Sequence, residues 1–422
     1  MKNLALLPAL ALALAVCSEA TILSESASAQ EANTQQDDSA ITIGERFSIA
    51  SEVLDEERDY WVYLPASYNS SIYAPQSYPV LYLLDGNAHF HSASGVVQFM
   101  SSGINSNVQI PGLIVVAIPN TDRTRDLSPT HSTTGWDGKE DPSLESSGGG
   151  DTFLRFISEE LSPEIDSTYR TLPYRILVGH SLGGLLALHA LLDTPQMFQA
   201  YIAIDPSLWW DDQVLVRRIA SRLDEDAQGL RGSAYISLAN HSADGVFGVE
   251  DMEVEEAVST FAELLESAAS PSLRPTLQYF EAEDHGSVPL LSLYYGLLHT
   301  FEGYKPPPAL FVEQPSDLNS YFENISERLG VTLLPPEAAV NEWGYYMLYG
   351  EEDVDKAIEL FKLNVSNYPG SFNVYDSLGE AYMVKDDKPL AIEFYEKSLE
   401  LDPTNENANE QLEVLRGQEE QE

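Results

Sequence analysis

Beyond residue 40 the chain alternates apolar runs with stretches of helical spacing. Ile41 to Ala50 and Tyr60 to Pro65 alternate apolar and polar side chains, whereas Val80 to Leu84 and Leu113 to Ile118 are continuous apolar runs. Alternation suits strands with one wet face, and continuous runs suit parallel strands covered on both. Phe153 to Ile165 has helical spacing, Ile176 to Val178 is a short apolar run, and Leu182 to Leu192 is helical again. Tyr201 to Ile204, Ala234 to Leu238 and Thr276 to Phe280 complete the strands, with helices predicted at Glu253 to Ser267 and Val288 to Phe301. The alternation predicts an α/β sandwich with right-handed crossovers. Two long inserts, Asn120 to Gly150 and Asp205 to Gly232, fall at the expected carboxyl ends of strands, the edge where open α/β sheets bind ligands.

The pattern changes after Tyr304. Lys305-Pro306-Pro307-Pro308 cannot continue a helix, so residues 40–303 form the α/β unit and 304–336 a linker containing a helix from Asp317 to Leu329. From Asn341 two segments overlay with a period of 34 residues, Ala357 on Ala391, Phe361 on Tyr395 and Pro369 on Pro403. That is the tetratricopeptide period. The second segment fits better, with Tyr375, Leu378-Gly379 and Tyr382 in place, while the first carries Gly344 one place early and Tyr345 where glycine is expected. Residues 337–416 are therefore read as an all-α, tetratricopeptide-like region. Two repeats rarely bury enough surface alone, so the Asp317 to Leu329 helix and a tail helix from Asn405 to Leu415 are expected to cap them. Such a region either docks a protein or peptide partner or caps the α/β unit, and residues 417–422 form an acidic tail.

At the other end, Lys2 precedes an apolar run from Leu4 to Val16, too short to span a bilayer and the length of a signal-peptide core. Residues 1–29 are read as a signal peptide cut after Ala27-Ser28-Ala29, with Ser18-Glu19-Ala20 a nearer site, and 30–39 as a polar tail. Export to the periplasm or medium follows as an expectation. Lipid anchoring through Cys17, the single cysteine, is the lesser alternative because bulky Val16 precedes it.

Composition narrows the function classes. Hydrophobic residues at 43% and charged residues at 21% are ordinary globular usage, which excludes wholesale disorder and a multi-span membrane protein. Sixty-seven Asp+Glu against 22 Lys+Arg give a formal charge of -45, a field that repels phosphate backbones and anionic lipid. Nucleic acid is excluded as a partner, and no membrane span is expected.

The strongest chemical signal is Gly179-His180-Ser181-Leu182-Gly183-Gly184, placed between the run ending at Val178 and the helical stretch from Leu182. Glycines two places either side of a serine permit the sharp strand-to-helix turn of a nucleophile elbow, which projects Ser181 from the sheet edge. A serine hydroxyl needs a base. Of eight histidines, His180 and His189 sit in or just after the elbow, and His285 follows the last strand, where this architecture places its base. The carboxylate that orients the imidazole is expected after the strand Ala234 to Leu238. Asp244 stands nearest to that strand end, and Glu250 and Asp251 are alternatives, as is a Ser-His dyad without a carboxylate. The oxyanion hole is expected from the amide of Leu182 and one from Asp85-Gly86-Asn87, a segment that reads equally as an ordinary turn.

Five ordered blocks resemble one family: the strand ending Leu83-Leu84-Asp85-Gly86-Asn87, the stretch Asp122 to Thr130, the elbow, Asp205-Pro206-Ser207-Leu208-Trp209-Trp210, and Asp284-His285-Gly286-Ser287-Val288. Together they are similar to the esterase family that includes esterase D and the bacterial ferric-siderophore esterases, over roughly residues 40 to 303. The resemblance implies an α/β-hydrolase three-layer sandwich, ester hydrolysis, Ser181 as nucleophile, His285 as base, and backbone amides near Gly86 and Leu182 as the oxyanion site. The loop searched for the acid matches poorly, and some members carry serine where Asp205 stands. Trp209 and Trp210 are candidates for a substrate wall, or core residues. The reading is an exported serine esterase acting on a small-molecule carboxylic ester through an acyl-enzyme, with no metal or organic cofactor. Alternatives are an interaction protein with a vestigial hydrolase domain and an acyltransferase using the same serine.

Overall fold

The computed structural model describes residues 40–102, 108–226, 229–241 and 251–419. The expected signal segment 1–29, the tail 30–39 and the final residues 420–422 lie outside the described residues.

Eight strands, β1 (Glu45–Ser51), β2 (Glu56–Tyr63), β3 (Tyr78–Leu83), β4 (Ile114–Ala117), β5 (Thr171–His180), β6 (Ala200–Ile204), β7 (Gly232–Ala239) and β8 (Leu273–Phe280), form one sheet in the order β1-β2-β4-β3-β5-β6-β7-β8. β1 pairs with β2 and β2 with β4 antiparallel, and the remaining pairs are parallel. The helices between them are α1 (Gly86–Ser101), α2 (Arg123–Leu127), α3 (Gly150–Phe156), α4 (Ser162–Thr168), α5 (Leu182–Asp193), α6 (Trp210–Asp226), α7 (Asp251–Ser267) and α8 (Val288–Thr300). Mixed order at one edge and parallel strands elsewhere are the α/β-hydrolase arrangement.

Alternation along the central strands feeds two cores. Val80 and Tyr82 of β3 point into a layer filled by Phe153 and Phe156 of α3, Leu185 and Leu186 of α5, and Phe261 of α7. Leu81 and Leu83 point the other way, toward Val97 and Met100 of α1 and Leu293 and Leu297 of α8. Helices therefore cover both faces, which is why the central strands read as unbroken apolar runs. The expected strands are all present, and Phe153 to Ile165 is α3 and α4 joined through a π-helical turn at Ile157–Leu161. Three helices of this unit were not anticipated. α1 carries Gly, Asn, His and three Ser among its sixteen residues, which blurs its apolar stripe, and α2 and α6 lie within what read as inserts.

After the α/β unit come α9 (Pro308–Val312), α10 (Leu318–Leu329), α11 (Glu337–Tyr345), α12 (Val354–Asn367), α13 (Phe372–Val384), α14 (Lys388–Leu401) and α15 (Glu406–Glu419). The residues that overlay at the 34-residue period are buried together: Ala357, Phe361, Ala391 and Tyr395 belong to one cluster. A Cβ on Gly379 would stand 3.1 Å from the Tyr395 ring, so a small residue there lets the helices close around the aromatic side chain. α15 covers the end of the array with Ala408, Leu412 and Leu415, and it continues to Glu419, past the expected end at Leu415.

The helix expected to cap the other end does something different. Phe322, Ile325 and Leu329 of α10, followed by Val331 and Leu333, join the core of the α/β unit with Tyr174, Phe301 and Tyr304. Only Leu318 at its start joins the repeat cluster. A second tie is polar. Fully buried Glu337 accepts from the Ala74 N–H of the α/β unit at 2.8 Å and from Ser371 Oγ of the repeats at 2.6 Å. Burial pushes its carboxyl above the ordinary range, partly offset by these donors.

A chain ending at Tyr304 therefore uncovers Tyr174, Phe301 and Tyr304, each worth about 1.5–3 kcal/mol when fully buried. Its melting temperature is expected to fall by roughly 5 °C or more, or the protein to precipitate. An unchanged melting curve by calorimetry refutes an energetic role for this junction.

Candidate active site

Three strands end at the same sheet edge in backbone conformations that L-residues avoid. Asp85 after β3 has φ 53°, Ser181 after β5 has φ 60°, and Asp205 after β6 has φ 42°. Such residues persist only where their surroundings hold them, and they gather at functional sites. The glycines around them explain how the turns fit. A Cβ on Gly179 would lie 2.2 Å from the Gly183 carbonyl oxygen, and one on Gly86 2.7 Å from the Ile118 nitrogen. The elbow is further tied down by Ser181 N–H donating to the Ile204 carbonyl at 2.9 Å.

His285 reaches this edge from the loop after β8, and Asp205 receives it. Oδ2 of Asp205 accepts from His285 Nδ1 at 2.6 Å, while Oδ1 accepts from the Ala239 N–H at 3.0 Å and from His241 Nε2 at 3.1 Å. A carboxylate is an acceptor only, so His285 Nδ1 carries the donated proton, and in the neutral ring the lone pair is on Nε2. Burial alone would raise the Asp205 carboxyl, but the hydrogen bonds and charges of His241 and His285 outweigh it and hold the group well below the usual carboxylate range. Ser181 Oγ lies 3.1 Å from Oγ of buried Ser207. Asp205, His241 and His285 also form a candidate donor set for a metal ion, but their short mutual hydrogen bonds already use the facing atoms.

Asp205 thus bonds His285 Nδ1, the place the sequence reading gave to Asp244. Asp244 and Glu250 lie outside the described residues, and Asp251 opens α7. The oxyanion expectation also changes. Gly86 N–H donates to the Ile118 carbonyl at 2.9 Å and is spent, whereas the N–H groups of Asn87 and Leu182 meet no acceptor among the described residues. Both open helices, α1 and α5, so their N–H groups are the orphan donors a helix start supplies. Trp210 is fully buried and donates through Nε1 to Thr130, which removes it from any substrate wall; its neighbour Trp209 is half-buried against the same core.

The matched stretch Asp122 to Thr130 is an ion-pair frame. Arg123 grips Asp85 through Nε at 2.7 Å and Nη2 at 3.1 Å and also donates to the His180 carbonyl at 3.3 Å, linking the α1 start to the elbow. Buried Arg58 and Asp126 pair at 2.6 Å beneath it, with Arg125 and Glu56 alongside. His189 serves packing: its ring nitrogens meet Asp151 at 2.6 Å and Arg218 at 3.2 Å.

A family model described as "Putative esterase" matches residues 51–244. Among solved structures, an IroE-like serine hydrolase of Shewanella oneidensis superposes with a TM-score of 0.67 at 31% identity, covering 76% of this chain and 99% of that one. The chain belongs to the esterase family. It is 36% identical over 175 residues to the ferri-bacillibactin esterase BesA of Bacillus subtilis, covering 39% of this chain and 59% of that protein. It is likewise 36% identical over 179 residues to a siderophore enterobactin esterase of Emericella nidulans, covering 38% and 54%. The chain thus spans a little over half the length of these curated relatives.

Within this esterase-family site the His180 ring lies on that of His285, centroids 4.4 Å apart, with His89 edge-on at 5.9 Å. Burial, with smaller contributions from His285 and His89, pushes His180 down to about 4. An unfolded histidine titrates near 6.5, so acid favours the unfolded chain. The stability that neutral His180 contributes is complete above about pH 6.5 and is lost as pH falls toward about 4. Urea midpoints over that window are expected to fall less steeply in His180→Gln than in the parent. Parallel slopes refute the assignment.

Proposed function

We propose that the protein is a serine esterase in which Ser181, His285 and Asp205 form the triad. The observation that carries this reading is the 2.6 Å bond from His285 Nδ1 to buried Asp205 at the edge where the elbow presents Ser181. Ser181 Oγ attacks the ester carbonyl while His285 Nε2 takes its proton, and Asp205 stabilises the imidazolium that forms. The Asn87 and Leu182 N–H groups receive the oxyanion, in a site already ordered and needing no reorganisation. Proton return from His285 to the leaving oxygen expels the alcohol. Water then gives a proton to His285 Nε2 as it attacks the acyl carbon, and cleavage of the acyl–Oγ bond releases the carboxylic acid as that proton passes to Ser181 Oγ. No step calls on a metal or organic cofactor.

The partners of this chemistry follow from position. Arg123 fixes the Asp85 turn against the elbow and so sets the spacing between the two oxyanion donors. Ser207 holds the Ser181 hydroxyl in the free protein, and the bond from Ser181 to His285 forms when substrate enters. The helical region acts as a fixed, tetratricopeptide-like cap, in keeping with α10 and Glu337 spanning the junction. Domain limits at 40–303, 304–336 and 337–416, and export of the mature chain, belong to the same proposal.

Ser181→Ala is expected to lower turnover of a simple aryl ester by on the order of 10⁶ with the circular dichroism unchanged. Asp205→Asn is expected to cost on the order of 10⁴ because the wrong histidine tautomer is held. Asp244→Asn should stay within about tenfold of the parent, because Asp205 already occupies His285 Nδ1. Near-normal turnover in Asp205→Asn together with loss in Asp244→Asn would move the acid to Asp244.

A further inference from the structure

The charge around this edge is one-sided. The three segments that frame it, residues 120–150, 205–213 and 281–287, contain six, three and three acidic side chains, with Arg123, Arg125 and Lys139 as their bases. Each base already has a carboxylate: Arg123 holds Asp85, Arg125 holds Glu56 and Asp126, and Lys139 holds Asp137. The next cation along, Arg217 on α6, pairs with Asp212 at 2.8 Å. Several of the acids stand at the rim. Asp212 follows the Trp209-Trp210 pair with its side chain 97% exposed, and Glu281, Glu283 and Asp284 immediately precede His285 with their side chains open to solvent in whole or part.

A substrate anion entering here would meet no unpaired arginine or lysine from these segments and would cross a field set by surplus carboxylates. Low-dielectric walls focus such a field, and its effect on association runs from about 10- to 10³-fold. Pairing of the cations inside the frame makes this more than the general acidity of the chain. Arg123 cannot turn to a substrate without abandoning the buried Asp85, whose carboxyl it and Asn120 hold low against the cost of burial.

Building on the serine-esterase reading, we infer that the substrate class of this site is esters whose leaving alcohol is uncharged or cationic, and that anionic esters are excluded. A siderophore ester of net negative charge falls in the excluded class, although one of the relatives is named a siderophore enterobactin esterase.

The test uses the full chain and three aryl acetates of matched size, one uncharged, one bearing a quaternary ammonium and one bearing a sulfonate on the leaving phenol. At low ionic strength kcat/KM is expected to fall in the order cationic, uncharged, anionic, with the anionic ester at least about tenfold below the uncharged one. Salt should raise the anionic value and lower the cationic one, because screening acts on charge and not on fit. Asp211→Asn/Asp212→Asn, which spares the left-handed backbone there and unpairs Arg217, should raise anionic turnover several-fold and leave the uncharged ester within about twofold. An anionic ester turned over as fast as the uncharged one at low salt, or slowed by salt, overturns the inference. Labelling of Ser181 by a fluorophosphonate separates the two levels. Absence of labelling and of all turnover sinks the serine-esterase reading itself. Labelling without turnover still ranks the three esters, by how well each protects Ser181, and protection by the anionic ester equal to that by the others sinks the substrate class alone.

Discussion

The Asp205 carboxylate is the constraint around which this edge is organised. It is buried, and burying a carboxylate is costly unless donors surround it. Here the donors come from the ends of β7 and β8: the Ala239 N–H and His241 on one oxygen, His285 on the other. Three consecutive parallel strands are thereby closed at their carboxyl ends by one negative charge. The same carboxylate fixes the His285 tautomer, so the stabilisation of the edge and the readiness of Nε2 are one interaction seen from two sides.

A second buried charge does similar work nearer the elbow. Asp85 sits in the left-handed region, and Arg123 with Asn120 satisfies both its oxygens. Its turn delivers the start of α1 beside the start of α5, which is what places two helix N-termini at one spot. Glycine is needed at residue 86 because the backbone of Ala117 and Ile118 leaves no room for a Cβ, not because its own amide is wanted. The requirement for glycine is thus steric, and the donor that meets no acceptor among the described residues is the next one, the Asn87 N–H.

This distinction shows what was legible in the sequence. The apolar runs gave the strands because burial on both faces leaves no polar positions, and the elbow was readable because close backbone approach demands glycine at fixed spacing. The place of His285 at this edge was readable from chain order. Its carboxylate partner was not, because chain order placed that partner after β7, where Asp244, Glu250 and Asp251 offered themselves, whereas the carboxylate that bonds His285 is Asp205 from the end of β6. A signal was present: an acidic residue directly at a strand end, followed by proline, within a block already matched to the family. α1 escaped for a different reason. Its Gly, Asn and Ser are weak helix formers, and its helical state is imposed by the packing of Ala93, Val97 and Met100 on the sheet.

The relation between the two parts of the chain follows from where apolar surface remains. The α/β unit leaves Tyr174, Phe301 and Tyr304 needing cover at the end of the sheet away from the elbow, and α10 supplies it with Phe322, Ile325 and Leu329. The repeats then build on α10 through Leu318, so the 34-residue array starts from a helix already committed to the α/β unit. Glu337 fixes the angle of that start, since moving α11 would strand a buried carboxylate together with the Ala74 N–H and Ser371 hydroxyl it serves. A peptide-docking array with a free concave face would not need such a tie. The buried Glu337 carboxyl therefore favours a rigid junction, and it does so by the same rule that closes the sheet edge at Asp205: a carboxyl group taken out of water holds in place whatever donates to it.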